Sequence, residues 1–172
     1  RVLGTPLPER VPGIELAEEA LAAGAAAGRR VYLLGGRPGV AAEAGRRLAE
    51  RHRGLRVVGA RDGDFREEES PAVAAAIRRT QPDLLLVGLG APKQELWIAT
   101  HRGELGARVV IGVGGALDVF AGRVRRAPAA LRRLGLEWAY RLAREPRRAR
   151  RMTALPRFAA RVLRRRWQRG DS

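Results

Sequence analysis

The sequence contains no cysteine and only two histidines, His52 and His101. A disulfide framework and a thiolate metal site are therefore excluded, and a histidine-rich metal site is not expected. The chain has no run of about 18 apolar residues, so no membrane-spanning helix is predicted, and no signal peptide is recognisable where the sequence starts. These absences favour an intracellular protein that holds no metal.

Lysine is also scarce, because Lys93 is the only lysine among 34 basic residues. Arginine is concentrated near the end of the chain, where residues 123–169 contain 17 arginines against Glu137 and Glu145 and so carry +15 of the net charge of +16. A segment of this kind suits an anionic surface such as lipid headgroups, a diphosphate or nucleic acid. We therefore predict a body over residues 1–122 and an arginine-rich helical appendage over residues 123–172.

The body alternates segments that are typical of strands and helices. Apolar runs predict strands at 31–35, 55–59, 84–87 and 108–113. A helical pattern precedes the first strand, and another follows each of the four strands. Ser70-Pro71 predicts the N-cap and first turn of the helix that reaches Arg79. At 172 residues the chain is long enough to bury a real core. The order predicts an α/β fold, a Rossmann-like, mostly parallel sheet with helices on both faces.

Glycine clusters follow the end of every predicted strand. They are Gly35-Gly36, Asp62-Gly63, Gly88–Lys93 and Gly112–Gly115. The carboxyl ends of parallel strands lie at one edge of a sheet, so we expect the clusters to converge on one crevice, where open α/β sheets bind ligands. No G-x-G-x-x-G fingerprint is present, which weakens any prediction of NAD binding. Asp62 could meet a ribose hydroxyl or simply belong to an Asp-Gly turn.

The third cluster is the most informative stretch of the chain. Gly88 and Gly90 would let the backbone approach a ligand closely, and Pro92 suits the first turn of the following helix. Lys93 then lies at a helix N-terminus, a combination that favours an anion such as phosphate. A turn with a solvated charged face is the alternative.

Basic residues outside the sheet are candidates for further anion contacts. Arg10 precedes the first helix and could act as a bidentate clamp or lie on the surface. Arg141, Arg148 and Arg151 would share one face if the helix that carries them is roughly continuous. The pattern over about 155–167 is that of an amphipathic basic helix, suited to a membrane surface or to packing on its own domain.

Several long motifs in sequence order resemble those of one family, the WecG/TagA/CpsF glycosyltransferases. The motifs are PLPERVPG near the start, GLGAPKQELWI at 88–98, GVGGALDVFAG at 112–122, RAP at 126–128 and LEWAYRLAREPRR at 136–148. The resemblance implies an inverting enzyme that needs no metal or cofactor. Such an enzyme would move N-acetylmannosamine, its uronic acid or a related hexose from a UDP-sugar to a polyprenyl-diphosphate-linked GlcNAc, in bacterial cell-wall or surface polysaccharide synthesis.

The resemblance also implies where the protein works and which residues serve the reaction. It implies a cytoplasmic protein that is peripheral at the inner face of the cell membrane, where the membrane surface is anionic, and it is compatible with a homo-oligomer. Arg10 and Gln94 are the implied catalytic positions, and Arg141, Arg148 and Arg151 are implied to grip the acceptor diphosphate. The predicted substrate-binding set, from the strand ends and the motifs, is Gly35, Gly36, Asp62, Gly90, Pro92, Lys93, Glu95, Gly114, Gly115 and Asp118.

The sequence departs from the family pattern in one respect. Inversion requires a base to deprotonate the acceptor hydroxyl, and the aspartate that serves as the family's presumed base lies upstream of the PERVPG segment, before this sequence starts. We expect the sequence to be a fragment of a longer protein; the alternative is an inactive homologue. Asp62, Asp64, Glu95 and Asp118 are conceivable bases but weak candidates.

A function of another class is also open. A Rossmann-like body with an arginine-rich tail fits a nucleic-acid-binding protein, whereas the transferase interpretation includes no nucleic-acid partner.

Overall fold

The computed structural model describes residues 13–128, 131, 139, 140 and 142. The chain divides into two compact units. One of them is Val11–Arg125, which contains the sheet and the helices that pack on it. The predicted boundary between residues 122 and 123 stays a prediction. Four predicted functional residues and the amphipathic segment at 155–167 lie outside the described residues. These four residues are Arg10, Arg141, Arg148 and Arg151.

The unit is a four-stranded parallel sheet with five α-helices, as the sequence predicted. The strands are β1 (Arg30–Gly35), β2 (Arg56–Arg61), β3 (Leu84–Gly88) and β4 (Val109–Gly112). The helices are α1 (Gly13–Ala26), α2 (Val40–Arg51), α3 (Ser70–Thr80), α4 (Lys93–His101) and α5 (Ala116–Phe120). The strand order is β2-β1-β3-β4, and every neighbouring pair is parallel.

The register places the ends of three strands side by side. Gly35 pairs with Gly88, and Val87 pairs with both Leu34 and Gly112. The chain leaves β1 toward β2 on one side and later crosses to β3 on the other, so the direction of winding reverses between β1 and β3. Such a reversal is the usual position of a ligand-binding crevice in an open α/β sheet.

Alternate residues of the strands belong to two separate cores. The core on one face contains Val31, Leu33, Leu84 and Leu86 together with buried residues of α1, α2 and α5. The core on the other face contains Tyr32, Leu34, Leu85 and Val87 together with residues of α3 and α4. Because both faces are covered, the central strands need apolar residues at every position, which explains the continuous runs in the sequence. Burial of each such side chain contributes about 1.5–3 kcal/mol.

Two predicted helix starts are displaced by one position. Ser70 was expected to be an N-cap but is the first residue of α3, and its hydroxyl is buried without a hydrogen-bond partner. The cause is a 3-10 turn at Glu67–Glu69, because it brings the backbone into helical geometry before Ser70 is reached. Pro92, expected in the first turn of α4, occupies the N-cap position and follows a cis peptide bond.

Candidate functional site

The loops after the four strands converge at the carboxyl edge of the sheet, as predicted. The Gly36 N–H donates to the Gly88 carbonyl oxygen at 3.1 Å, and the Gly63 N–H donates to the Gly36 carbonyl oxygen at 2.9 Å. The Val113 N–H donates to the Val87 carbonyl oxygen at 2.8 Å. Backbone hydrogen bonds thus tie the loops after β2 and β1 to the end of β3, and the loop after β4 to β3 as well.

The glycines at this edge are required by the packing of the chain against itself. Gly35 has φ +129°, and a Cβ built on it would overlap the backbone of Gly88, whose Cα would be 2.7 Å away. A Cβ on Gly88 would lie 2.8 Å from the Gly114 carbonyl oxygen and 2.8 Å from Leu117 Cδ1. We expected Gly88 to open the backbone to a ligand, but neighbouring chain segments already occupy that space. Gly90 differs in that its φ of +79° by itself favours glycine.

Gln94 joins the loop after β3 to the loop after β4. Its side chain is buried, with 6% exposed. Its Oε1 accepts a hydrogen bond from the Gly114 N–H at 2.9 Å, and its Nε2 donates to Glu95 Oε1 at 2.8 Å. Its own backbone N–H donates to the Gly90 carbonyl oxygen at 2.9 Å. The predicted catalytic glutamine therefore lies at the predicted edge with both polar side-chain atoms engaged by the chain.

Two cations, one at the end of β2 and one at the start of α4, contact one aromatic ring. The Lys93 Nζ lies 4.9 Å from the ring centroid of Phe65, and the Arg61 guanidinium carbon lies 5.7 Å from it. Phe65 is buried and meets Trp97 edge to face, with centroids 6.5 Å apart. Arg61 also approaches Glu69 at 3.6 Å, whereas Lys93 has no ion pair among the described residues. The edge therefore holds a small basic cluster, which we call the Phe65 cluster and define as Arg61, Phe65 and Lys93.

Of the three members of this cluster, only Lys93 was predicted as a site residue from the sequence. A usable signal was present, because Arg61 ends β2 and Phe65 lies four residues later in a polar loop. A lone aromatic residue among charged ones just after a strand end is a candidate platform for cations.

Three carboxylates lie in the loops and first turns at the same edge. Asp62 and Asp118 are half-buried, and Glu95 is exposed in the first turn of α4. Within the described part of the chain, Glu95 contacts Gln94, and neither aspartate side chain has a hydrogen bond or ion pair. The backbone carbonyl of Asp118 accepts hydrogen bonds from the Arg123 and Val124 N–H groups, at 2.9 and 3.2 Å. These carboxylates can accept hydrogen bonds from hydroxyl groups.

The remaining predicted site residues lie in the same loops. Gly36 follows β1 with φ +77°, Gly114 follows β4 with φ +51°, and Gly115 is the N-cap of α5. In the described ranges no three His, Cys, Asp or Glu side chains are grouped so that they could hold a metal ion. Nor does any helix described there have the length and apolar character needed to cross a membrane.

Comparison with known proteins assigns the chain to a family. The model of the glycosyl transferase WecG/TagA/CpsF family matches residues 1–172. The chain belongs to this family. The resemblance in the sequence motifs is thereby confirmed, and with it the class of glycosyltransferases.

Curated WecG/TagA/CpsF relatives are identical to the chain at more than a third of the aligned positions. N-acetylglucosaminyldiphosphoundecaprenol N-acetyl-beta-D-mannosaminyltransferases of Staphylococcus aureus strains MW2, MRSA252 and NCTC 8325 are each 37% identical to it over 160 residues. The aligned region covers 93% of this chain and 62% of each relative. The chain thus spans less than two thirds of the length of these relatives. Nothing in these comparisons favours the nucleic-acid alternative.

Proposed function

We propose that this chain is part of an inverting, metal-independent glycosyltransferase. The enzyme transfers N-acetylmannosamine, its uronic acid or a related hexose from a UDP-sugar to a polyprenyl-diphosphate-linked GlcNAc during bacterial cell-wall or surface polysaccharide synthesis. Family membership and the names of the relatives support the reaction class. The observation that carries the proposed donor site is the Phe65 cluster, which brings two cations together at the ligand-binding edge of the sheet.

The Phe65 cluster suits the diphosphate of a nucleotide sugar. Lys93 is the first residue of α4, where the positive end of the helix dipole disfavours a cation by about 0.3–1 kcal/mol. Among the described residues no carboxylate lies within ion-pair distance of its ammonium group. A diphosphate would supply the missing counter-charge for Lys93 and a second contact for Arg61. Both cations would also stabilise the charge that develops on UDP as it leaves.

The carboxylates at the edge suit the hydroxyl groups of the same donor. Asp62 follows β2 and Asp118 follows β4, so they flank the strands that end in Gly35 and Gly88. We assign Asp62 and Asp118 to ribose or sugar hydroxyls, with the loops of Gly36, Gly90 and Gly115 as the backbone of the site. Acceptors of this type hold a neutral hydroxyl without competing for the diphosphate.

The acceptor side of the proposal depends on charge. Arg141, Arg148 and Arg151 are proposed to hold the acceptor diphosphate, and Arg10 is proposed to lie near the reacting groups. The net charge of +15 over residues 123–169 suits a peripheral position at the anionic inner face of the cell membrane. Each arginine near such a surface contributes about 1 kcal/mol.

The donor site is tested by isothermal titration of UDP into this chain and its variants. Lys93→Met keeps the aliphatic stem on Phe65 but removes the charge, so we expect about tenfold or greater loss of UDP affinity, while Lys93→Arg retains most of it. The control is Arg53→Met, which removes an exposed cation at the opposite edge of the sheet. NAD and a short RNA serve as competing ligands. Absence of UDP binding, or tighter binding of the RNA, would contradict the proposal.

A further inference from the structure

The side-chain amide of Gln94 has one orientation that its surroundings permit. Gly114 presents an N–H donor at 2.9 Å and Glu95 presents a carboxylate oxygen at 2.8 Å. Reversing the amide would place a donor against a donor and an acceptor against an acceptor. Its carbonyl oxygen is therefore committed to Gly114 and its NH₂ group to Glu95.

The surrounding backbone is shaped around this amide. A Cβ on Gly112 would lie 2.9 Å from Gln94 Nε2 and 3.3 Å from its Cδ, so a larger residue there would displace the side chain. Gly114 has φ +51°, a conformation that L side chains rarely adopt, and this presents its N–H to Gln94. Gly112 at the end of β4 and Gly114 in the β4–α5 loop thus both serve the glutamine of α4.

Glu95 differs from Gln94 in being exposed. Its Oε1 accepts from Gln94, and its Oε2 has no hydrogen-bond partner among the described residues. Glu95 forms no ion pair with the described residues either. Lys93 is only two positions away, but its ammonium group contacts the Phe65 ring instead. The carboxylate is therefore fixed through one oxygen and has the other available.

We propose that Gln94 is a positioning residue, which fixes the Glu95 carboxylate and the Gly114 loop relative to each other, and that Glu95 receives a hydroxyl group of the bound nucleotide sugar. The ligand part of this inference rests on the proposed function. The positioning part does not, because both hydrogen bonds lie within the chain. It differs from a direct catalytic role in that the amide itself does not touch the substrate.

Exchanging the two residues tests the arrangement. In Gln94→Glu the new carboxylate faces Glu95 as a like charge. When both groups are ionised, this repulsion displaces the side chain from the Gly114 N–H, and the hydrogen bond to Gly114 returns when one of the two groups is protonated. In the double variant Gln94→Glu with Glu95→Gln, donor and acceptor are exchanged and the contact is restored at neutral pH. Gln81→Glu is the matched control, since Gln81 is exposed and its side chain has no hydrogen bond within the described part of the chain.

The first measurement is hydrogen exchange of the Gly114 amide between pH 5 and 8, relative to the parent chain at the same pH. We expect Gln94→Glu to raise the exchange rate about tenfold at pH 8 and much less at pH 5. The double variant should exchange more slowly than Gln94→Glu at pH 8, and Gln81→Glu should match the parent. Equal exchange in the single and double variants would overturn the positioning role.

The second measurement is UDP and UDP-sugar titration of the same set. The double variant should bind UDP-sugar about as well as Glu95→Gln, because both lack the Glu95 carboxylate and both keep the contact between positions 94 and 95. A further loss in the double variant would assign the amide of Gln94 to the ligand and overturn the proposal. Glu95→Gln keeps an acceptor for Gln94, so it should leave Gly114 exchange unchanged and weaken UDP-sugar binding several-fold. If the parent chain binds no UDP, the proposed function fails while the exchange measurement still decides the positioning role.

Discussion

Replacing Gly35 by alanine should destabilise the fold severely, because the residue has two independent reasons to be glycine. Its φ of +129° is a conformation in which L residues are strained, at a cost of about 1–3 kcal/mol. A Cβ would also overlap the Gly88 backbone on the neighbouring strand, and overpacking of this kind costs about 1–3 kcal/mol more. The strands are paired at this position, so they cannot separate without loss of their hydrogen bonds.

The sum of about 2–6 kcal/mol is a large part of the stability of a small domain, which is about 5–15 kcal/mol. Two other glycines separate the contributions. Gly28 has φ +61°, but no described atom lies within 4 Å of a built Cβ, so Gly28→Ala should cost only about 1–2 kcal/mol. Gly103 lacks a positive φ and, among the described residues, a neighbour within 4 Å, so Gly103→Ala should be nearly neutral.

Urea unfolding of the parent and the three variants measures these differences as changes in the free energy of unfolding. Destabilisation should increase from Gly103→Ala to Gly28→Ala and be greatest for Gly35→Ala. A cost for Gly35→Ala no greater than that for Gly28→Ala would refute the steric part of the reasoning. The crowding of the strand ends would then not explain the glycine at this position.

Two further predictions concern the core and the surface charges. Leu86 is fully buried, so Leu86→Ala should cost about 2–5 kcal/mol in urea unfolding, against about 0.5 kcal/mol or less for Leu96→Ala on the exposed side of α4. Arg46 and Arg47 donate hydrogen bonds to Glu43 and lower its pKa from 4.5 to about 2. The ionised Glu43 therefore stabilises the folded chain fully above pH 4.5, and this stabilisation is lost as the pH falls toward 2. Glu43→Gln should therefore destabilise the chain at pH 7 and approach the parent near pH 2 in thermal unfolding, with a smaller difference at high salt.

The fold could be predicted because its strongest determinants are local. Continuous apolar runs such as Leu84–Val87 indicate strands covered on both faces, and their alternation with helical segments indicates a parallel sheet. The first residues of α3 and α4 were less predictable. A 3-10 turn brings helical geometry to α3 one residue early, and α4 begins one residue later than expected, with Pro92 as its N-cap.

The convergence of the loops at one edge of the sheet could also be predicted, whereas the contacts that each residue makes there could not. Glycines after strand ends indicate an edge where backbones approach closely, but they do not distinguish a ligand from a neighbouring loop. At Gly88 the neighbour is the Gly114 loop. Arg61 ends β2 and Lys93 follows β3, and β1 lies between these two strands in the sheet. Their meeting at Phe65 therefore depends on the tertiary structure, which local sequence patterns do not specify.

The edge of the sheet combines internal contacts, which fix its loops, with exposed charged groups, which are free to meet a ligand. Contacts of backbone and buried amide groups, as at Gly35, Gly88 and Gln94, fix the loops before any ligand arrives. The exposed groups, Lys93 and Glu95, are adjacent to Gln94 on either side and extend from this fixed backbone. A ligand therefore needs to order only side-chain ends and not whole loops, which lowers the entropic cost of binding. By this reasoning, loss of the Gln94 contacts should reduce affinity even though the charged groups remain.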